Sequence, residues 1–439
     1  MSPALTRRLV PTVAQCRSRL SAALHRPLLS TAPSRPLHAS LSRLAGPLPL
    51  RPDSSLRQLK PHTPPLPTPD KSYTLPELKQ LLSNVNQSPT LPSRSLPIVS
   101  IGAGNIVQVA HYPAYRQAHF DVVAVQDQSR QTAEATAKLW QPTPPKVYNT
   151  VAELVNAYRN QPVVYDIAVP ALAILDILKQ LPDGCYALIQ KPMGESIEEA
   201  RAIRDVCRAK RMHCAVNFQL RYAPNVLAAK SLITAGVIGD ITAIDFRINV
   251  HTPWSKWSFM EQASRMEIIY HSIHYIDLIR DLYGEPQQLH AMTWKHPHNQ
   301  KLHSVRSNLL FLYDPAVQTT IHTNHFHRFG HHKHVESYLY IEGTKGALKA
   351  QLGENIEYPR SDLDYLHVAT EATGSEWLDV KLRGSRFVEA FVGPMADLQR
   401  WAVGETDGHP TSVDDAYRTM AVCEAAYESA EKLSTIEYD

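Results

Sequence analysis

The sequence predicts an α/β protein, with a doubly wound parallel sheet first and a second α/β domain built on an open, mostly antiparallel sheet. Three observations point there. From about residue 96 to 220 short apolar runs alternate with helical periods, the pattern of a parallel sheet covered on both faces. The first run ends in Gly102, Ala103 and Gly104 and then reads as a helix, a strand, turn and helix whose free N–H groups suit a diphosphate. Beyond about Arg221 longer strand-like runs take over, as in antiparallel strands with one packed face.

In chain order, residues 1–52 hold eight arginines, many serines, and no lysine, aspartate or glutamate. Leu5, Leu9, Val13, Leu20 and Leu24 can form one apolar helix face, as in a mitochondrial or plastid transit peptide. A disordered basic tail or a mistaken gene start, on a cytoplasmic protein, is the competing reading. Residues 53–95 form a proline-rich linker or arm, since 17 of the 33 prolines lie within residues 1–97. One island interrupts it: Thr74 to Glu77 before LKQLL matches a capping box with proline in the first turn. That helix packs either on the domain or on a neighbouring subunit.

The doubly wound domain spans 96–220. Strands are expected at 97–101, 121–126, near Val147, and at 163–169, 186–189 and 214–218. Helices are expected from Ser129, Val151, Ala171 and Ser196, the last with the box Ser196 to Glu199. The second domain, 221–439, begins with a helix at 225–235. Strands follow at 241–250, 289–293, 308–312, 318–322 and 337–341, with helices at about 266–282 and 412–433.

Composition excludes several classes. The net charge is +3 and the leader carries +8, so residues 53–439 carry −5 and offer no field for nucleic acid. The most apolar run, 167–177, is too short for a membrane span and contains Pro170 and Asp176. Five scattered cysteines without CxxC spacing fit thiols in a reducing compartment better than disulfides or zinc.

The glycine turn implies a dinucleotide: Gly102 permits the turn and Gly104 lets backbone approach phosphate, although Val107 stands where a third small residue is usual. Asp127, at the end of the second strand, can accept from the adenine-ribose hydroxyls and repels a 2′-phosphate. It therefore favours NAD, while Ser129 and Arg130 leave NADP open. An N-cap role for Asp127 is compatible with this. Lys191, in Gln190-Lys191-Pro192 after the fifth strand, stands at the edge where such sheets bind ligands. There its ammonium can hold a developing alkoxide. In YHSIHYIDL, Tyr270 and His274 are i,i+4 neighbours on a helix, with His271 beside them. An imidazole there can take a hydroxyl proton. Core histidines or metal ligands are the competing readings, and no metal is expected, because the sequence fixes no carboxylate or third histidine nearby. The cluster His322, His325, His327, His331, His332 and His334 is expected to be a solvated strand edge or pocket lining. Trp254 and Trp257 are candidates for stacking on a sugar ring or for plain packing.

Together, GAGNIV, HYPAY, VVAVQD, QKP, NFQLRYAP and IHYIDL, in that order over about Leu96 to Lys432, resemble the Gfo/Idh/MocA oxidoreductase family. The resemblance implies an N-terminal Rossmann domain and a C-terminal α/β domain with an open, mostly antiparallel sheet. It also implies hydride transfer between NAD or NADP and a secondary alcohol or carbonyl of a sugar, inositol or related polyol. It matches Lys191 to the lysine of the family's EKP motif and His274 to the catalytic histidine. Three positions depart from the pattern: Gln190 replaces a glutamate, Tyr270 an aspartate, and Ile174 a histidine.

The expected catalytic residues are therefore Lys191, His274 and Tyr270, the last as proton relay or hydroxyl ligand. Expected cofactor contacts are Gly102, Gly104, Asn105, Ile106, Asp127, Gln128, Pro170 and Gln190. Expected substrate contacts are Asn217, Arg221, Trp254 and His271. The partners expected are a small-molecule substrate and further copies of the chain, since an open sheet exposes a broad face. A non-catalytic dinucleotide-binding regulator or scaffold is the alternative reading. So is a reductase of a non-carbohydrate, such as a dihydrodiol or tetrapyrrole.

Overall fold

The computed structural model describes residues 69–313, 317–329, 334–359, 363–374 and 376–432. The arginine-rich leader, His331 and His332 lie outside these residues. The first ordered element is α1 (Leu75–Ser83), opened by the capping box, in which the Thr74 N–H donates to Glu77 Oε2 at 2.9 Å. It packs on this same chain. Leu78, Leu82 and Val85 are buried in the main core, each stabilising by about 1.5–3 kcal/mol. The Tyr73 hydroxyl donates to the carbonyl of Ala235 at 2.8 Å.

The first sheet has six parallel strands: β1 (Ile98–Ile101), β2 (Val122–Gln126), β3 (Lys146–Tyr148), β4 (Val164–Ile167), β5 (Tyr186–Gln190) and β6 (His213–Asn217). Their spatial order is 3-2-1-4-5-6, so the switch point lies between β1 and β4, where such sheets take their ligands. The crossovers are α2 (Tyr112–Gln117), α3 (Arg130–Lys138), α4 (Val151–Tyr158), α5 (Ala171–Gln180) and α6 (Ile197–Ala209). All four residues of β1 and of β4 are buried, which is why these strands read as unbroken apolar runs.

After α7 (Pro224–Thr234), β7 (Ile241–Asn249) and α8 (Ile273–Tyr283) come β8 (Gln288–Trp294), β9 (Arg306–Tyr313), β10 (Val317–Asn324), β11 (Glu336–Gly343), β12 (Gly346–Gln351), β13 (Tyr365–Thr370) and β14 (Leu378–Asp379). With β7 these strands form an eight-stranded sheet of order 14-13-12-11-7-10-9-8. Every pairing is antiparallel except β10 with β7. Burial alternates along β9 and β10, so one face of the sheet is packed and the other open.

The chain then returns. In α9 (Val392–Ala402), Val392, Met395, Ala396 and Leu398 pack with Ile98, Tyr112 and Leu188 of the first sheet and its helices. The last helix, α10 (Val413–Glu431), contacts α6 and β6 of the first domain and α8 and β8 of the second. Segments late in the sequence thus tie the two sheets into one body. Among the described residues no helix is long and apolar enough to cross a membrane.

Candidate active site

At the carboxyl ends of β1, β4 and β5 a cavity of about 330 Å³ opens between the two sheets. From the first domain it is lined by Gly104, Asn105, Ile106, Pro170, Gln190 and Lys191, and from the second by Trp254, Trp257, Phe259, Tyr270, His271 and His274. The turn is built for close backbone approach. Gly102 has φ +95°, and a Cβ there would lie 2.2 Å from the Ala168 carbonyl oxygen, whereas a Cβ on Gly104 would meet nothing within 4 Å. The backbone at 104 therefore faces open space at a helix N-terminus, as a diphosphate requires. Val107, at the position where a small residue is usual, is buried in the core between β1 and α2.

Asp127 braces this turn. Its Oδ2 accepts from the Ala103 N–H and its Oδ1 from the Ser129 N–H, both at 2.9 Å, leaving lone pairs on each oxygen for a ribose. The N-cap of α3 is Ser129, whose Oγ accepts from the Thr132 N–H at 3.2 Å. Gln128 is exposed, and neither it nor Asp127 lines the cavity.

The Lys191 ammonium donates to the Tyr270 carbonyl at 2.9 Å. Burial, opposed by Glu354 and aided by Arg386, lowers its pKa to about 8. Its neighbour Gln190 accepts the Lys191 N–H through Oε1 at 2.9 Å and places Nε2 3.1 Å from His111 Nε2. Nδ1 of His111 is 2.9 Å from Asp166 Oδ2. A neutral imidazole that donates to Asp166 and accepts from Gln190 satisfies both contacts and fixes which way the amide points. Asn217 belongs to this layer, with Nδ2 3.4 Å from the same His111 nitrogen. It sits behind Gln190 and does not line the cavity.

His274 is 5 % exposed, and its Nδ1 has no partner among the described residues. Burial, then Lys191 and Arg386, hold its pKa well below the usual imidazole value, so the ring is neutral. His271, held low by burial and then by His325, also has an unpartnered Nδ1. The regular helix begins only at Ile273. Tyr270 and His271 lie on a wider π-turn, Ile268–Ser272, that leads into the helix carrying His274, and all three line the cavity. Tyr270 is committed elsewhere: its hydroxyl donates to Glu195, and burial with that carboxylate raises its pKa far above the ordinary phenol value.

Arg221 is not brought to the cavity. Its guanidinium forks onto Asp277, with both contacts at 2.6 Å, and reaches Asp415 at 2.8 Å and Asp281 at 3.3 Å. It is a buried link between α8 and α10, without a donor directed at a substrate. The histidine cluster separates as well. His322 pairs with Asn308 at 2.6 Å on the open sheet face, whereas His325 is wholly buried beside Glu267.

Several lining residues gave no sequence signal. Arg386 and Glu354, 2.7 Å apart, lie on the cavity wall with Asn355 and Tyr358, and Asn105 Nδ2 donates to the Tyr358 hydroxyl at 3.2 Å. They come from the chain flanking β13 and β14, outside the strands, where no periodicity or motif marks them. His111 did have a signal, in the stretch HYPAY, but no role attached to it.

Known proteins bear on this architecture. Residues 96–218 match the family model of the oxidoreductase family, NAD-binding Rossmann fold, and residues 226–349 that of the GFO/IDH/MocA C-terminal domain. A D-apiose dehydrogenase of Rhizobium rhizogenes is 23% identical over 255 residues, 57% of this chain and 72% of that one. An oxidoreductase from Agrobacterium radiobacter, solved with NAD+, superposes with a TM-score of 0.65 at 19% identity, covering 77% of this chain and 97% of that one. A putative myo-inositol dehydrogenase from Sinorhizobium meliloti superposes with a TM-score of 0.60 at 21% identity, covering 77% and 98%. With an NAD-binding Rossmann domain, a mostly antiparallel partner domain and both family models matched in order, the chain belongs to the Gfo/Idh/MocA family of oxidoreductases.

Proposed function

We propose that this protein is an NAD(P)-dependent dehydrogenase acting on a secondary alcohol of a sugar, inositol or related polyol, or on the corresponding carbonyl. The observation that carries this reading is one cavity lined by the glycine turn, Lys191 and His274. A bound nicotinamide supplies the hydride acceptor. Neutral His274 takes the hydroxyl proton. The Lys191 ammonium donates to the oxygen as negative charge develops on it, which offsets the weak basicity of a buried imidazole. Gln190, oriented by His111 and Asp166, presents a neutral amide on the cavity wall. The dehydrogenase names of relatives support the substrate class.

A feature compatible with the non-carbohydrate reading is the aromatic wall: Trp254, Trp257, Phe259 and Phe387 suit a flat or apolar substrate and a sugar face alike. Screening sugars, inositols and aromatic diols for NADH or NADPH formation separates the two. Tight cofactor binding without turnover on any of them favours the regulatory alternative.

The same proposal includes a homo-oligomer and an organellar address. Support for the first is the open face of the second sheet, where Trp294, Leu310 and Leu312 are each at least 38 % exposed and share a side by strand register. A cleft of about 560 Å³ lies on that face. Support for the second is the arginine-rich, acid-free leader.

A further inference from the structure

Behind the wall of the cavity lies a cluster that the proposed hydride transfer does not use. Glu267, at the start of the π-turn, and His325, just past the end of β10, are both fully buried, and Glu267 Oε1 lies 3.2 Å from His325 Nε2. His271 completes a triangle in which one ligand atom from each residue lies within 4.8 Å of the others. The rings of His271 and His325 are 3.9 Å apart between centroids.

We propose that Glu267, His271 and His325 form a binding site for a divalent first-row transition-metal ion, with an open coordination position on the side of the substrate cavity.

The donor set, its spacing and its surroundings support this. Two imidazoles and one carboxylate are a donor set suited to zinc, iron or manganese, and softer than magnesium prefers. Ligands about 2.0–2.1 Å from a tetrahedral centre sit about 3.3 Å apart, close to the Glu267 to His325 separation. Among the described residues the buried Glu267 carboxylate is met by Ser272 Oγ, at 2.8 and 3.1 Å, and by His325. A buried carboxylate whose partners are a hydroxyl and an imidazole, with no lysine or arginine among them, gains from a bound cation. The outer contacts suit an ion as well: His325 Nδ1 lies 2.9 Å from Thr252 Oγ1, the contact that fixes a ligating tautomer. His271, whose Nδ1 has no partner, is the member of the three that lines the cavity. The Trp254 ring stands edge-on to both imidazoles, at 5.4 and 6.1 Å, and walls the cluster off on one side.

This inference rests on the proposed dehydrogenase reading only for its consequence, that the open position takes a hydroxyl oxygen of the polyol and so orients the neighbouring carbon. Ion binding itself does not depend on that reading.

The test uses the full-length chain, tag-free and stripped with a chelator, titrated with Zn²⁺ by calorimetry and with Co²⁺ by visible absorption, without cofactor or substrate. The expected result is one tight ion per chain. Affinity should fall about 100-fold or more in Glu267→Gln and His271→Gln and about 10-fold in Thr252→Val, and stay unchanged in His322→Gln. If Glu267→Gln does not fold, His271→Gln, whose side chain borders open space, decides. Absence of a tight ion in the wild type, or retention of full affinity in His271→Gln, overturns the proposal. Because no turnover is read, a failure here leaves the alcohol screen intact, and a failed screen leaves this result intact.

Discussion

Replacing Lys191 tests the catalytic geometry most sharply. The ammonium is held by the Tyr270 carbonyl in a cavity whose other charged or titratable walls are Tyr270, His271, His274, Glu354, Tyr358 and Arg386. None of the described residues replaces it as a donor at the same point. Loss of one preorganised donor to a developing oxyanion costs about 2.7–4 kcal/mol, or about 10²–10³ in kcat. Lys191→Met, which keeps length without charge, should therefore lower kcat by that factor while the Kd for NAD+ stays within about twofold. The pH profile gives an independent reading. With the pKa lowered to about 8 by burial, the ammonium is present below that pH and lost above it. Wild-type kcat/KM for alcohol oxidation should then fall about tenfold per pH unit above about 8. In Lys191→Arg, which stays charged, that limb should disappear even though the rate is reduced. The assay is NADH absorbance across pH at saturating cofactor. Rates that climb steadily through pH 9 would make the neutral amine the working form, and unchanged turnover in Lys191→Met would remove the residue from the chemistry.

Other outcomes follow from the same structure. Arg221→Met should destabilise the fold by about 3–5 kcal/mol, because Asp277, 1 % exposed, loses its principal counter-charge. A thermal melt reads this, and an unchanged Tm with a raised KM would return Arg221 to the substrate. NAD+ should bind more tightly than NADP+, since Asp127 lies beside the turn; titration of both cofactors checks this, and a clear NADP+ preference contradicts it. His409 donates from Nε2 to the Pro394 carbonyl and accepts at Nδ1 from the Thr411 N–H, and burial lowers its pKa. The unfolded chain therefore binds the proton first. The stability contribution is complete above about pH 6.5 and lost at up to about 1.4 kcal/mol per unit below it. Tm measured on both sides of that pH should differ less in His409→Gln than in the wild type. Residues 1–60 fused to a reporter should direct it to mitochondria or plastids, and a uniformly cytosolic signal refutes the organellar address.

Which parts of this molecule were legible in the sequence follows from the length scale of the forces. Strands β1 and β4 are buried on both faces and announce themselves as apolar runs, and the helix starts at Thr74 and Ser196 are local in chain and space; Thr74 forms the full capping box, whereas at Ser196 only Oγ caps the Glu199 N–H and the Glu199 carboxylate turns to the Glu195 N–H instead. Strands β12, β13 and β14 were missed because they are short or half-buried and separated by irregular chain. Helix α9 carries Gly393 and Pro394 in its first turn, residues that normally signal a loop. At the site, Lys191 was readable because a residue following a strand in this topology falls on the ligand edge. Arg221 obeys a similar logic and was misassigned, because its three aspartates come from positions 277, 281 and 415. Glu267 meets His325 across 58 residues, and Arg386 meets Glu354 across β13 and β14. Such pairings exist only once the second sheet has closed over the first.

A crystal structure of the full chain with NAD+ probes the placement of the nicotinamide most directly. The expected density puts the diphosphate on the backbone at Gly104 and the ring between the Lys191 ammonium and the His274 imidazole. Its C4 should stand about 3–3.5 Å from where a substrate carbon would sit. A ring directed away from both side chains, or a dinucleotide bound elsewhere on the chain, would contradict it.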